Sequence, residues 1–217
     1  MLYLHEFLLL ATIHFLAVIA PGPDFAVVVQ QSISWGRKIG AITALGIGTG
    51  ISVHVLYTIL GFGLLIQANE LVFNIVKIIS ALYLIYLGFI LIKSNIKKSH
   101  ADKNEVFTQS VNDKNTPSAK SAFLKGFITN ATNPKATIFF LGIFTTIVSP
   151  SAPIHIQLLY GIWMCFVNAT WFVAVAYLFT TQKVRNSFLQ KKKWFEIFIG
   201  IVLIFLAFRL IVSFKFS

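Results

Sequence analysis

The sequence predicts an all-α integral membrane protein: six transmembrane helices forming a 3+3 inverted repeat, with the first helix of each half broken. Three observations predict it. Hydrophobic residues fill 57% of the 217 positions and charged residues 12%, with a mean hydropathy of +0.80, whereas soluble domains are about 45–50% apolar. Six apolar stretches each reach the roughly 20 residues a helix needs to cross the hydrocarbon. A Pro21-Gly22-Pro23-Asp24 quartet inside the first stretch is answered by Asn133-Pro134-Lys135 inside the fourth. Barrel strands would alternate in polarity over segments of about ten residues; these runs are apolar on consecutive positions.

Span one, residues 8–30, holds the quartet. The Pro23 ring removes a donor and crowds the preceding turn, so carbonyls near Ala20 and amides beyond the break lose partners. In lipid such groups must face protein or a water-filled cavity, and Pro21 and Pro23 are therefore read as a helix break. The alternative is a structural kink with Asp24 near the cytoplasmic surface. The start resembles a secretion signal ending in Val18-Ile19-Ala20, but a signal needs a basic beginning and the first basic residue is Arg37. A retained helix is expected.

Span two, 39–66, carries Gly46, Gly48, Gly50 and His54. Gly46, Gly50 and His54 share one helical face, and Gly161, Cys165 and Ala169 repeat the step of four in span five, 154–179. Such narrow faces admit a second backbone, from the same chain or from another copy in a homodimer. His54 is either a hydrogen-bonded core residue or a proton relay; His14, in the outer half of span one, ranks below it. Spans three, 71–92, and six, 194–214, contain Lys77 and Arg209 near their outer ends, where long side chains snorkel to the interface.

Span four, 123–148, contains the second break, at Pro134. Lys135 lies near its middle, too deep to snorkel, and so needs an anion. At an offset of 111 Pro23 falls on Pro134 and Asp24 on Lys135. The two charges are either a permanent ion pair holding the halves together or a pair that opens for the α-ammonium and α-carboxylate of an amino acid. Gly22, Thr129, Asn130, Thr132 and Asn133 cluster at the breaks and are candidates to complete the binding. Proton coupling is assigned to Asp24, with His54 second.

The polar stretch 93–122 reads as a cytoplasmic linker between a first repeat, 1–92, and a second, 123–217. Of 18 Lys and Arg, 14 lie in alternate connections: Arg37 and Lys38, the stretch from Lys93 to Lys125, and that from Lys183 to Lys193. The positive-inside rule then puts both termini on the periplasmic or extracellular side. With three spans each, the halves enter the membrane from opposite sides, which relates them by a two-fold axis in its plane. The net charge of +11 thus sets topology and contact with membrane lipid, not nucleic-acid binding.

Several functions are disfavoured. Cys165 is the single cysteine, so one chain forms no disulfide or redox pair. Five dispersed histidines suggest no metal site. The Gly46–Gly50 stretch lacks the Lys and Ser/Thr of a phosphate loop, so no cofactor is expected. No nucleophile sits with a base, which argues against an enzyme. Asp24 is read as the one carboxylate within a span, which counts against a divalent-cation transporter, and an assembly subunit without transport would need no buried charges.

The run PGPDFAVVVQQSISWGRKIGAITALGIGTGISVHVLY, residues 21–57, resembles the N-terminal pattern of the lysine exporter and homoserine/threonine resistance (LysE/RhtB) transporters. FLKGFITNATNPKATIFFLG, residues 123–142, is similar to that family's second-half motif. The resemblance spans essentially the whole chain and marks Pro21, Gly22, Pro23, Gly36, Gly46, Gly50, Asn133, Pro134 and Lys135. Where members often end span four in a Pro-Gln-Phe-like sequence, this chain reads Ile147-Val148-Ser149-Pro150. The resemblance implies secondary export of amino acids or related metabolites across the bacterial inner membrane, by proton exchange.

Overall fold

The computed structural model describes residues 2–68, 70–97, 116–149 and 151–212, and every regular element among them is a helix. In chain order these are α1 Leu2–Ile19, α2 Pro23–Trp35, α3 Arg37–Ala68, α4 Glu70–Lys97, α5 Ala119–Ala131, α6 Pro134–Thr146, α7 Ile154–Leu178 and α8 Gln182–Val212. Most of the expected linker, and the side chains of Lys77 and Arg209, lie outside the described residues.

Both expected breaks are present, and proline placement explains them. Pro23 and Pro134 each occupy the first turn of a new helix, where a missing N–H costs nothing and the fixed φ suits the helix. α1 and α2 meet at a bend of 53°. Gly22 begins α2 with extended backbone and no side-chain cap, whereas Asn133 caps α6 by accepting from the Lys135 amide at 3.0 Å. α2 ends at Gly36, whose φ of 87° favours glycine.

By length and apolar character, Arg37–Gly61 of α3 and Ile154–Leu178 of α7 are long enough to cross a membrane, and the bent α1–α2 pair passes the same test taken together, as a broken span or a re-entrant loop. The stretches Ala81–Lys93 and Pro134–Phe144 are shorter apolar helices. α3 is central, packing on α2, α5, α6 and α7, while α4 packs on α8 and α1 on α7. One apolar core gathers Leu10, Phe140, Phe144 and Met164. A second gathers Phe25, Val28, Phe172 and Phe179.

α4 and α8 cross at two glycines in reciprocal contact. A methyl on Gly88 would stand 2.6 Å from the Gly200 carbonyl oxygen, and one on Gly200 2.7 Å from that of Gly88. Each methyl would also meet an isoleucine of the opposite helix, Ile204 or Ile92, at 2.7 and 2.8 Å. Gly200 follows Gly88 by 112 positions, one more than separates Pro134 from Pro23.

The small-residue faces divide differently from expectation. Gly46 and Gly50 of α3 press on α5: a side chain on Gly46 would strike the Phe123 carbonyl, and one on Gly126 of α5 would strike that of Thr43. Gly161 and Ala169 of α7, however, face α3, against Val55 and Gly48. The α7 face that reaches toward α1 lies one residue earlier, at Tyr160, Met164, Asn168 and Phe172, all buried. Tyr160 donates to the Tyr3 carbonyl at 2.9 Å.

Candidate functional site

The breaks of the two halves meet at one cavity, with about 460 Å³ of empty space including its opening to solvent. Gly22, Asp24, Asn130, Asn133 and Lys135 line its polar end, Phe139, Phe140 and Phe172 form apolar walls, and His14 and Asn168 also line it. Five sequence-selected residues from two distant segments thus converge.

Asp24 stands on the first turn of α2, where the helix dipole favours an anion. Its Oδ2 accepts from Asn130 Nδ2 at 2.9 Å and Asn133 Nδ2 at 3.2 Å. Oδ1 is buried without a hydrogen-bond partner. Lys135 stands at the equivalent place on α6, where the dipole is unfavourable to a cation, and its Nζ lies 3.6 Å from where a Gly22 Cβ would be.

Of the two alternatives for these charges, the closed Asp24–Lys135 ion pair is not found among the described residues, where Lys192 and Glu196 pair at 3.5 Å. Asp24 is held by two amides instead, leaving both charges at the cavity. Lys135 nevertheless lies in the field of both Asp24 and Glu196.

Thr129 and Thr132 are not brought to the site. Their hydroxyls donate to the carbonyls of Lys125 and Ile128 on their own helix, each at 2.7 Å. His54 sits behind the site, fully buried, with Nε2 2.8 Å from the Asn130 carbonyl oxygen and Nδ1 2.8 Å from the Tyr57 hydroxyl. It orients Asn130, and Asn130 orients Asp24.

His54→Phe would remove one hydrogen bond from the Asn130 carbonyl, which still accepts from the Asn133 amide, and one from the Tyr57 hydroxyl, at a cost of about 0.5–1.5 kcal/mol for each. The expected result is a lower melting temperature in detergent with export slowed but retained; abolished export from a stable protein would make the imidazole part of coupling.

Two further carboxylates lie deeper than half-buried Asp24: Glu6 of α1 and Glu196 of α8 are 8% and 7% exposed. Both fall near the ends of apolar runs, where the sequence gives little sign of burial. Even so, no group of three His, Cys, Asp or Glu side chains converges among the described residues. Sequence reasoning also passed over Asn168, a polar residue deep in an apolar run, and Tyr57.

Residues 15–213 match the family described as LysE type translocator. The chain is 32% identical over 209 residues to the threonine efflux protein of Salmonella typhi, covering 95% of this chain and 98% of that protein. It is 30% identical to the threonine efflux protein of Escherichia coli (strain K12) over the same shares. A membrane protein of Bacillus subtilis (strain 168), YrhP, is 29% identical over 93% of this chain and 96% of its own length. No solved structure matches.

Proposed function

Since the chain belongs to the LysE type translocator family, we propose that it exports amino acids or closely related small zwitterions across the bacterial inner membrane. One observation carries the reading: an oriented carboxylate with an unpartnered oxygen and a lysine ammonium share one cavity without closing on each other. An ammonium delivered to Asp24 Oδ1 and a carboxylate delivered to Lys135 satisfy both. The carboxylate also meets the positive end of α6, as anions do at helix N-termini. The threonine efflux relatives support an amino-acid cargo.

The translocating unit is six crossings in a 3+3 inverted repeat, supported by the paired proline breaks and by the reciprocal Gly88–Gly200 crossing. Access alternates as the halves rock about that crossing, and both termini face the periplasmic or extracellular side. Asp24 takes up a proton from outside and releases it to the cytoplasm when it binds the substrate ammonium, giving proton antiport. The test is efflux from preloaded cells, or uptake into everted vesicles, across an amino-acid panel at two pH gradients. Export of at least one amino acid, faster with the steeper gradient, is expected; a panel wholly indifferent to expression would overturn the reading.

A further inference from the structure

The cavity has a second group of polar side chains that the zwitterion does not use. His14 of α1 and Asn168 of α7 line it together with the phenyl rings of Phe139, Phe140 and Phe172. His14 is 1% exposed and Asn168 3%. Asn168 Nδ2 lies 3.4 Å from His14 Nε2, and the imidazole is set edge-on to Phe140 and Trp163, with centroids 6.0 and 5.7 Å apart. His14 Nδ1 is buried with no partner. Orphaned polar atoms at such depth are costly, and this one belongs to a residue that lines a cavity.

Resting on the amino-acid export reading, we infer that His14 and Asn168 form the side-chain subsite of the cavity and select a short hydroxyl-bearing side chain. The chemistry narrows the choice. If Asn168 donates to Nε2, His14 carries its proton on Nδ1 and needs an acceptor. If the amide is turned over, Nδ1 is the acceptor and needs a donor. A hydroxyl serves either way.

A carboxamide brings two donors and an acceptor with two lone pairs to one vacant position, leaving polar groups unmet between phenyl rings. A cationic or anionic side chain meets only a neutral imidazole and a neutral amide. An aliphatic side chain fills the space and leaves Nδ1 unpaired. Sites built to hydrogen-bond a substrate hydroxyl reject the analogue lacking it far more strongly than sites that differ by a methyl group.

Threonine and valine have nearly the same shape and differ at this one group, so they form the probe pair. Export of both is measured from preloaded cells expressing wild type, Asn168→Leu and His14→Phe, with asparagine and lysine alongside. The wild type is expected to export threonine at least tenfold faster than valine, asparagine or lysine. Both variants are expected to bring the threonine-to-valine ratio to within about threefold of one, with valine export showing that the protein is assembled.

A ratio unchanged in both variants overturns the inference, as does a wild type that exports amino acids without preferring threonine; in both cases the export reading stands. A wild type that exports no amino acid overturns the export reading and this inference with it. Where the variants fail to accumulate, thermal stabilisation of purified wild type decides: stabilisation by threonine but not by valine supports the subsite, and equal stabilisation overturns it.

Discussion

Asp24→Asn is expected to lower amino-acid export by at least a hundredfold while the protein inserts at the wild-type level. The substitution keeps the volume and removes the charge. It replaces one of the two oxygens by an NH2 group: with the remaining oxygen still accepting from Asn130 and Asn133, the NH2 takes the place of the unmatched Oδ1 and meets the substrate ammonium as a donor. A substrate ammonium then loses a charge-assisted bond, worth about 1.5–3 kcal/mol, and its counter-charge in a site shielded from water. A hundredfold effect corresponds to about 2.8 kcal/mol, within that reach.

Lys135→Met removes the opposite pole and should fall as far, and the double variant no further, since each alone empties the site. Initial efflux rates, normalised to membrane-inserted protein, measure this. Export by Asp24→Asn above a tenth of wild type would place the substrate ammonium elsewhere.

Gly126→Val is expected to prevent stable assembly, whereas Gly61→Ala should be silent. At Gly126 a side chain would run into the Thr43 carbonyl and the following turn of α3. A backbone cannot yield as a flexible side chain does, so α3 and α5 must separate and lose the contacts around Gly46 and Gly50 as well. Overpacking costs about 1–3 kcal/mol even where neighbours relax, and close approach through small residues is a main source of helix association in membranes. Gly61 has nothing within 4 Å of an added Cβ. The measurement is the yield of monodisperse protein in detergent and its melting temperature; equal values for the two variants would mean that the α3/α5 contact is not needed for the fold.

The breaks were legible in the sequence because proline and charge inside an apolar run have few structural meanings. Pro23, Pro134, Asp24, Lys135, Asn130 and Asn133 come together from that logic alone. What was not legible depends on rotation about helix axes. Thr129 is adjacent to Asn130, yet one step of about 100° turns its hydroxyl back onto its own helix. Asn168 adjoins Ala169, and the one-residue register difference decides which of the two meets α1. The separation of Asp24 from Lys135 was equally hidden, because two asparagines compete for the carboxylate and only geometry settles the contest. Lys77, Arg209 and the greater part of the 93–122 stretch lie outside the described residues.

Asn133 gives the site a mechanical character. Its Oδ1 holds the first free amide of α6 while its Nδ2 holds Asp24 of the other half, so one amide group spans the seam with both ends engaged. It works as a latch whose two jaws share a pivot. A ligand that draws Asp24 away releases one jaw and frees the side chain to turn, and turning unfastens the start of α6. Displacement of Asp24 by a ligand would thus be felt first at the start of α6, through a single side-chain dihedral.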